Sequence, residues 1–148
     1  METDDNAMIS IRPNHVKNIV DGAKTVELRR RFLSLPHGSR LWIYSTLPVG
    51  ALVAKAIICS IDYDEPEALW LRYQREVAVP KILFFDYFED CRVGCAIRLT
   101  NIEPITPVSL ASIRKVRGVD HIPQVATKIT AFEARQFESL SYLGDYET

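Results

Sequence analysis

Apolar and polar positions alternate along much of the chain in short runs that are rich in β-branched and aromatic residues. This pattern predicts strands, which span residues 8–11, 24–30, 40–45, 51–61 and 93–100. Helical patterns separate some of these strands, whereas only turns separate others. A doubly wound sheet requires strands and helices to alternate regularly. The pattern therefore predicts an α+β fold, a small mixed β-barrel flanked by short helices.

The first predicted helix lies directly before the strand at residues 24–30. Val16, Ile19 and Val20 fall on one face of a helix with 3.6 residues per turn. Pro13 suits the first turn, where its missing N–H is no loss, and Gly22 is a typical helix terminator. This segment is therefore predicted to be a short helix lying on the core.

A helix after Pro80 is predicted to carry a cluster of aromatic and apolar side chains. These are Leu83, Phe84, Phe85, Tyr87 and Phe88. Such a cluster is either a surface on which nucleobases stack or ordinary core, and so apolar a helix favours the core. Further helices are predicted from capping signals at Asp64, Ser109 and Thr130.

The length of 148 residues fits one domain that buries a substantial core. Residues 1–7 are predicted to form a disordered tail. Residues 8–106 contain the predicted strands and form the barrel domain. Residues 107–148 are predicted to be a C-terminal helical extension packed on the barrel.

Composition places the chain among globular proteins, since 47% of its residues are hydrophobic and 25% are charged. No window resembles a membrane span, and the N-terminus is acidic, unlike a signal peptide. A cytoplasmic location is the resulting prediction. The net charge of −1 makes no case for nucleic acid, although basic residues outnumber acidic ones in residues 1–50, which would steer an anion there.

Cysteine and histidine usage favours neither a metal site nor a disulfide framework. The three cysteines contain no C-x-x-C pair, and the three histidines lack metal-ligand spacing. We therefore predict no metal and no cofactor.

The candidate site is the charged segment at residues 22–31. Lys24, Glu27 and Arg29 lie among residues that favour an extended backbone. Ionisable groups are rarely buried without a partner, so charges on a strand predict either a wet cleft or a salt-bridged network that closes the barrel. Because a spacing of three is off-period for a strand, a Lys24–Glu27 ion pair requires an irregular strand start.

The run from Ile9 to Arg29 resembles the opening of ASCH domains, which belong to the PUA-like superfamily of small β-barrels. That opening consists of a strand, a short helix after proline, and a G-x-K-x-x-E-x-R signature, whose four positions are occupied here by Gly22, Lys24, Glu27 and Arg29. The resemblance extends to about Pro104, and it implies a PUA-like barrel.

The resemblance implies several activities. Some ASCH-like proteins are amidohydrolases that release the acyl group of N4-acetylcytidine, using the signature lysine with a threonine and a glutamate. Lys24 matches that lysine and is the catalytic candidate if the chain is an enzyme, but Glu27 stands where the threonine belongs. A close Glu27 also favours the protonated amine, which opposes a nucleophilic or basic role. Other relatives are ribonucleases.

PUA-like domains commonly bind RNA or modified bases, so the predicted partner is RNA, a nucleotide or a modified nucleobase. In this interpretation cationic side chains bind phosphate, Glu27 accepts a hydrogen bond from a base amino group, and aromatic rings stack on bases. The candidate ligand-binding residues are Lys24, Glu27, Arg29, Arg12, Arg40, Trp42 and Tyr44. A protein-interaction module is a third alternative.

Overall fold

The computed structural model describes residues 5–120 and 126–147, with side chains as far as Ser141. The elements in these ranges are β1 (Asn6–Ile11), α1 (Pro13–Val20), β2 (Val26–Arg29), β3 (Arg40–Ser45), β4 (Ala51–Asp64), α2 (Pro66–Tyr73), α3 (Lys81–Tyr87), β5 (Gly94–Ser109), α4 (Leu110–Arg117), β6 (Ala126–Ile129) and α5 (Ala131–Glu147).

The described strands form one curled sheet in the order β2-β5-β4-β3-β1-β6. β1 and β3 run parallel, whereas every other neighbouring pair is antiparallel. The long β4–β5 pair shifts register at three places. Irregularities of this kind bend a strand and increase its twist, which accounts for the curl of the sheet into a half-barrel.

Helices cover the sheet in two groups. α4 and α5 pack on the face that carries Met8, Trp42 and Leu52, while α2 and α3 pack against β2 and β5 around Phe84 and Phe88. A third cluster, which includes Ile9 and Ile43 with residues of α1, fills the inside of the curl.

Predicted caps explain where two helices begin. The Ser109 hydroxyl accepts the Ser112 N–H at 3.2 Å at the start of α4. Thr130 and Glu133 form a reciprocal capping box before α5, with hydrogen bonds of 3.0 Å and 2.8 Å. Both capping signals are confirmed. The predicted cap at Asp64 is wrong, because Glu65 is the N-cap of α2 and no side chain caps that helix.

The predicted boundaries of the barrel differ from the structure at both ends. Asn6 and Ala7 belong to β1 rather than to a disordered tail, because β1 is paired on both sides, with β3 and with β6. Asp5 precedes β1, and its carbonyl accepts the Arg40 N–H at 3.0 Å. Residues 1–4 of the predicted tail lie outside the described residues. β5 crosses the predicted boundary between residues 106 and 107, and the extension contributes strand β6 as well as helices.

Among the described residues, none of the helices is long and apolar enough to cross a membrane.

Candidate functional site

The charged segment enters the sheet through an irregular start. The Lys24 N–H donates to the Asn18 carbonyl at 2.9 Å, and the N–H groups of Thr25 and Val26 both donate to the Glu76 carbonyl. β2 therefore begins at Val26, two residues later than predicted. Without strand alternation before that point, Lys24 and Glu27 can lie side by side.

Lys24 and Arg29 converge on the carboxylate of Glu27. We call these three residues the shared-carboxylate cluster. The Lys24 ammonium lies 3.5 Å from Glu27 Oε1. Arg29 binds Glu27 Oε2 from the other side, with Nη2 at 2.7 Å and Nε at 3.2 Å. Both the predicted Lys24–Glu27 pair and its irregular strand start are confirmed.

Two further contacts tie the cluster to backbone carbonyls. Lys24 donates to the Val77 carbonyl at 2.6 Å, which anchors the connection between α2 and α3. Arg29 Nη2 donates to the Ser10 carbonyl at 2.9 Å, near the end of β1. The cluster thus joins β1, β2 and the α2–α3 connection at one point.

The three side chains differ in how far they are buried. Lys24 is 1% exposed and Glu27 is 6% exposed, whereas the Arg29 side chain retains 13% exposure. Lys24 and Glu27 are consequently enclosed with their partners and are not presented to a ligand in this conformation. Of the three, Arg29 has the greatest access to solvent.

The electrostatics of the cluster are dominated by desolvation. Burial lowers the pKa of Lys24 from its ordinary value, because it disfavours the ammonium, while the charge of Glu27 and its hydrogen bond oppose this shift. Since one carboxylate serves two cations, the fully ionised cluster carries one uncompensated positive charge.

His15 on α1 lies beside the cluster, and the sequence did not single it out. Burial and the Lys24 charge lower its pKa, with smaller opposing and reinforcing effects from Glu27, Arg12 and Arg29. Its Nδ1 atom is buried and has no hydrogen-bond partner among the described residues. An isolated histidine without a motif gives no sequence signal for such a position.

The aromatic candidates Trp42 and Tyr44 lie in the core, which corrects the prediction that they stack on a base. The Trp42 ring packs against Phe137 at 5.8 Å and its Nε1–H donates to Asn6 Oδ1, while Tyr44 is buried in the same cluster. α5 covers this face of the sheet, and strand alternation alone could not reveal that cover.

The remaining candidates lie at opposite ends of the parallel pair. Arg12 is exposed and directly follows β1, just after Ser10, whose carbonyl binds Arg29. Arg40 begins β3 and aligns with Asn6 at the start of β1. Because β1 and β3 are parallel, Arg40 lies level with Asn6, whereas Tyr44 lies level with Ser10. Each strand residue adds about 3.3 Å to the distance along the strand, so Arg40 does not join the cluster.

Arg30 and Tyr87 border the cluster on its outer side. Arg30 Nη1 donates to the carbonyls of Tyr87 and Glu89, both at 3.0 Å. Arg30 is exposed, and it also holds the C-terminal end of α3. The Tyr87 hydroxyl lies 3.4 Å from the Leu28 carbonyl.

A large hollow lies elsewhere, between β4, β5 and α5. It has a volume of about 780 Å³ and is lined in part by Lys55, Glu103 and Glu138. Both carboxylates pair with Lys55, at 3.6 Å and 3.0 Å. Within the described residues, no group of three or more His, Cys, Asp or Glu side chains is placed to hold a metal ion.

Comparison with known proteins identifies relatives of the chain. It is 35% identical over 135 residues to a Zymomonas mobilis protein named ASCH domain-containing ribonuclease, and the match covers 91% of each chain. The crystal structure of ASCH from Zymomonas mobilis has a TM-score of 0.89 at 34% identity, covering 94% of this chain and 97% of that one. Rpa0253 from Rhodopseudomonas palustris shares the fold at 14% identity, with a TM-score of 0.54 and 94% of each chain covered. No family model matches the sequence.

A curled mixed sheet with flanking helices defines the class as a PUA-like α+β domain. The identity and coverage of the Zymomonas mobilis relative then assign the family: the chain belongs to the ASCH domain family. The fold class and the family inferred from residues 9–29 are confirmed.

We expect Glu27→Gln to lower the free energy of unfolding by about 3–5 kcal/mol, because it leaves the buried Lys24 ammonium without its carboxylate. Urea denaturation measures the change. Glu103→Gln is the matched control, since its exposed pair with Lys55 is worth at most about 1 kcal/mol. Additivity of Glu27→Gln and Lys24→Met in the double variant would contradict coupling within the cluster.

We expect stability to depend on His15 at acidic pH. Its folded-state pKa lies below 6.5, so the unfolded chain binds this proton more readily than the folded protein. The free energy of unfolding therefore rises with pH between the lowered pKa and 6.5, and this contribution is lost on acidification. Urea midpoints of wild type and His15→Asn, compared from about pH 5 to about pH 8, should show a weaker acid dependence in the variant. Parallel profiles would refute this expectation.

Proposed function

We propose that this protein binds RNA and cleaves it as a ribonuclease, and that the RNA backbone is held at a basic rim formed by Arg12, Arg29 and Arg30. The observation that carries the proposal is the excess of cations in the shared-carboxylate cluster. Lys24 and Arg29 share the single carboxylate of Glu27, and the exposed Arg12 adds charge of the same sign.

An anion is the complement of this arrangement. A positive charge in a partly buried site is screened less by solvent than one on an open surface. A backbone phosphate would compensate the charge that Glu27 leaves unpaired. Cations that neutralise phosphates provide much of the affinity of proteins for nucleic acids.

Arg29 is the residue of the cluster best suited to meet the phosphate. Its Nε and Nη2 atoms are engaged by Glu27 and Ser10, which fixes the guanidinium plane, while part of the side chain faces solvent. A preorganised cation of this kind also stabilises negative charge that develops on a phosphate during RNA cleavage. Glu27 and Lys24 act here by orienting Arg29.

The name of the Zymomonas mobilis relative supports catalysis in addition to binding, since that protein is called a ribonuclease. The large hollow near Lys55 suits an anion less well, because two carboxylates already engage its lysine. No specific contact favours hydrolysis of acylated cytidine. Lys24 donates to Val77 and Glu27 and is enclosed, so that alternative rests on family resemblance alone.

The test uses end-labelled single-stranded RNA with the chain of 148 residues. Retention of the RNA on the protein measures binding at two or more salt concentrations, and gel analysis of the products after incubation measures cleavage. We expect shortened products and a binding constant that falls as salt rises. Binding without cleavage would remove the ribonuclease assignment, and the absence of both would overturn the proposal.

Arg12→Ala tests the position of the rim. We expect weaker RNA binding and a salt dependence reduced by about one phosphate contact. Arg135→Ala, which removes an exposed arginine from α5, is the matched control and should change neither quantity. Equal effects of the two variants would mean that binding follows overall charge and not the rim.

A further inference from the structure

One aromatic residue of α3 differs from its neighbours in exposure. Phe84 and Phe88 are buried against β2 and β5, and Phe85 is half-buried. Tyr87, the last residue of α3, remains 41% exposed, although it lies between Phe84 and the C-cap residue Phe88. The aromatic cluster therefore contains both core residues and one ring that is open to solvent.

The position of Tyr87 is held by three contacts. Arg30 Nη1 donates to the Tyr87 and Glu89 carbonyls, which lie at the C-terminal end of α3, where helix carbonyls lack partners within the helix. The Tyr87 hydroxyl lies 3.4 Å from the Leu28 carbonyl, and its ring packs edge-to-face on Phe88 at 4.9 Å. A ring ordered in this way loses little conformational entropy on binding a ligand.

Tyr87 also lies beside the basic rim. Burial raises the pKa of its phenol, and the charges of Arg29, Glu27 and Arg30 are close enough to modify it. Arg30 belongs to the rim and contacts the Tyr87 backbone directly. An exposed ring next to arginines is the combination with which proteins bind single-stranded nucleic acids, through base stacking and backbone neutralisation.

We propose that Tyr87 is a stacking site for an unpaired nucleobase of RNA whose backbone lies on the basic rim. Arg30 is a positioning residue in this site, because its guanidinium fixes the end of α3 that carries the ring. The inference rests on the proposed binding of RNA and adds a site for a base at the end of α3. In a duplex the faces of the bases are occupied by their neighbours and are not available to Tyr87.

Other exposed apolar residues on α3 define the competing explanation. Ile82 and Leu83 are also exposed, and a protein partner on this helix would use them together with Tyr87. RNA is favoured because Arg30 binds the Tyr87 and Glu89 carbonyls, which places its charge at the Tyr87 end of α3 and not at the end that carries Ile82 and Leu83. A protein-docking role is therefore an outcome of the test.

The test measures binding of a short RNA that contains one 2-aminopurine, whose fluorescence falls when the base stacks. Wild type and Tyr87→Phe should quench the fluorescence and bind the single strand, because both carry a flat ring. Tyr87→Leu keeps an apolar side chain without a π-face, and we expect about 5- to 100-fold weaker binding with little quenching. Phe132→Leu removes an exposed ring from α5 and is the matched control, with unchanged binding.

A duplex of the same sequence separates strandedness from charge. Wild type should bind the single strand more tightly than the duplex, and Tyr87→Leu should lose most of this preference. Arg30→Lys keeps the charge but replaces the guanidinium that holds both carbonyls, so we expect reduced quenching with a nearly unchanged salt dependence.

Three results would overturn the inference. Binding of RNA by wild type without any change of 2-aminopurine fluorescence excludes stacking, whatever the variants do. Equal binding by wild type and Tyr87→Leu shows that Tyr87 has another role, such as contact with a protein. Failure of wild type to bind RNA removes the proposed function together with this inference, so the two failures are distinguishable.

Discussion

The structure depends on the way one buried carboxylate satisfies two cations. Glu27 lies between Lys24 and Arg29, and each cation also donates to a backbone carbonyl, of Val77 and of Ser10. Charges in the interior are tolerated only when they are paired and hydrogen-bonded. This one arrangement therefore sets where β2 begins, where the α2–α3 connection lies, and which cation remains accessible.

The same arrangement explains the division of labour at the site. The Lys24 ammonium contacts Glu27 and the Val77 carbonyl inside the protein, so its role is to support the fold of the α2–α3 connection. Arg29 is held by the contacts of its Nε and Nη2 atoms and still reaches solvent. Arg30, the next residue, donates instead to the Tyr87 carbonyl at the end of α3 and fixes Tyr87. Arg29 at the end of β2 and Arg30 directly after it thus serve two neighbouring parts of the proposed RNA site.

Much of the fold and part of the site follow from sequence, because they depend on local chemistry. Capping at Ser109 and Thr130 and the Lys24–Glu27 pair are set by residues within three positions of each other. The faces of β3 could not be assigned in this way. Trp42 is enclosed by α5, nearly a hundred residues away in the chain, and alternation does not reveal which face acquires a cover. The exposure of Tyr87 likewise depends on how α3 meets the sheet.

The parallel pairing of β1 with β3 explains why Arg40 lies away from the cluster. The sequence could not indicate this, because it carries no sign of strand direction. That topology also leaves one side of β1 without a neighbour from residues 5–120, and β6 pairs with this side, antiparallel, at Asn6–Ile9. An uncovered strand edge is a template for intermolecular β-pairing. The short strand β6 consequently covers this edge and opposes aggregation. The edge of β1 stays exposed in a nascent chain until β6 has been synthesised.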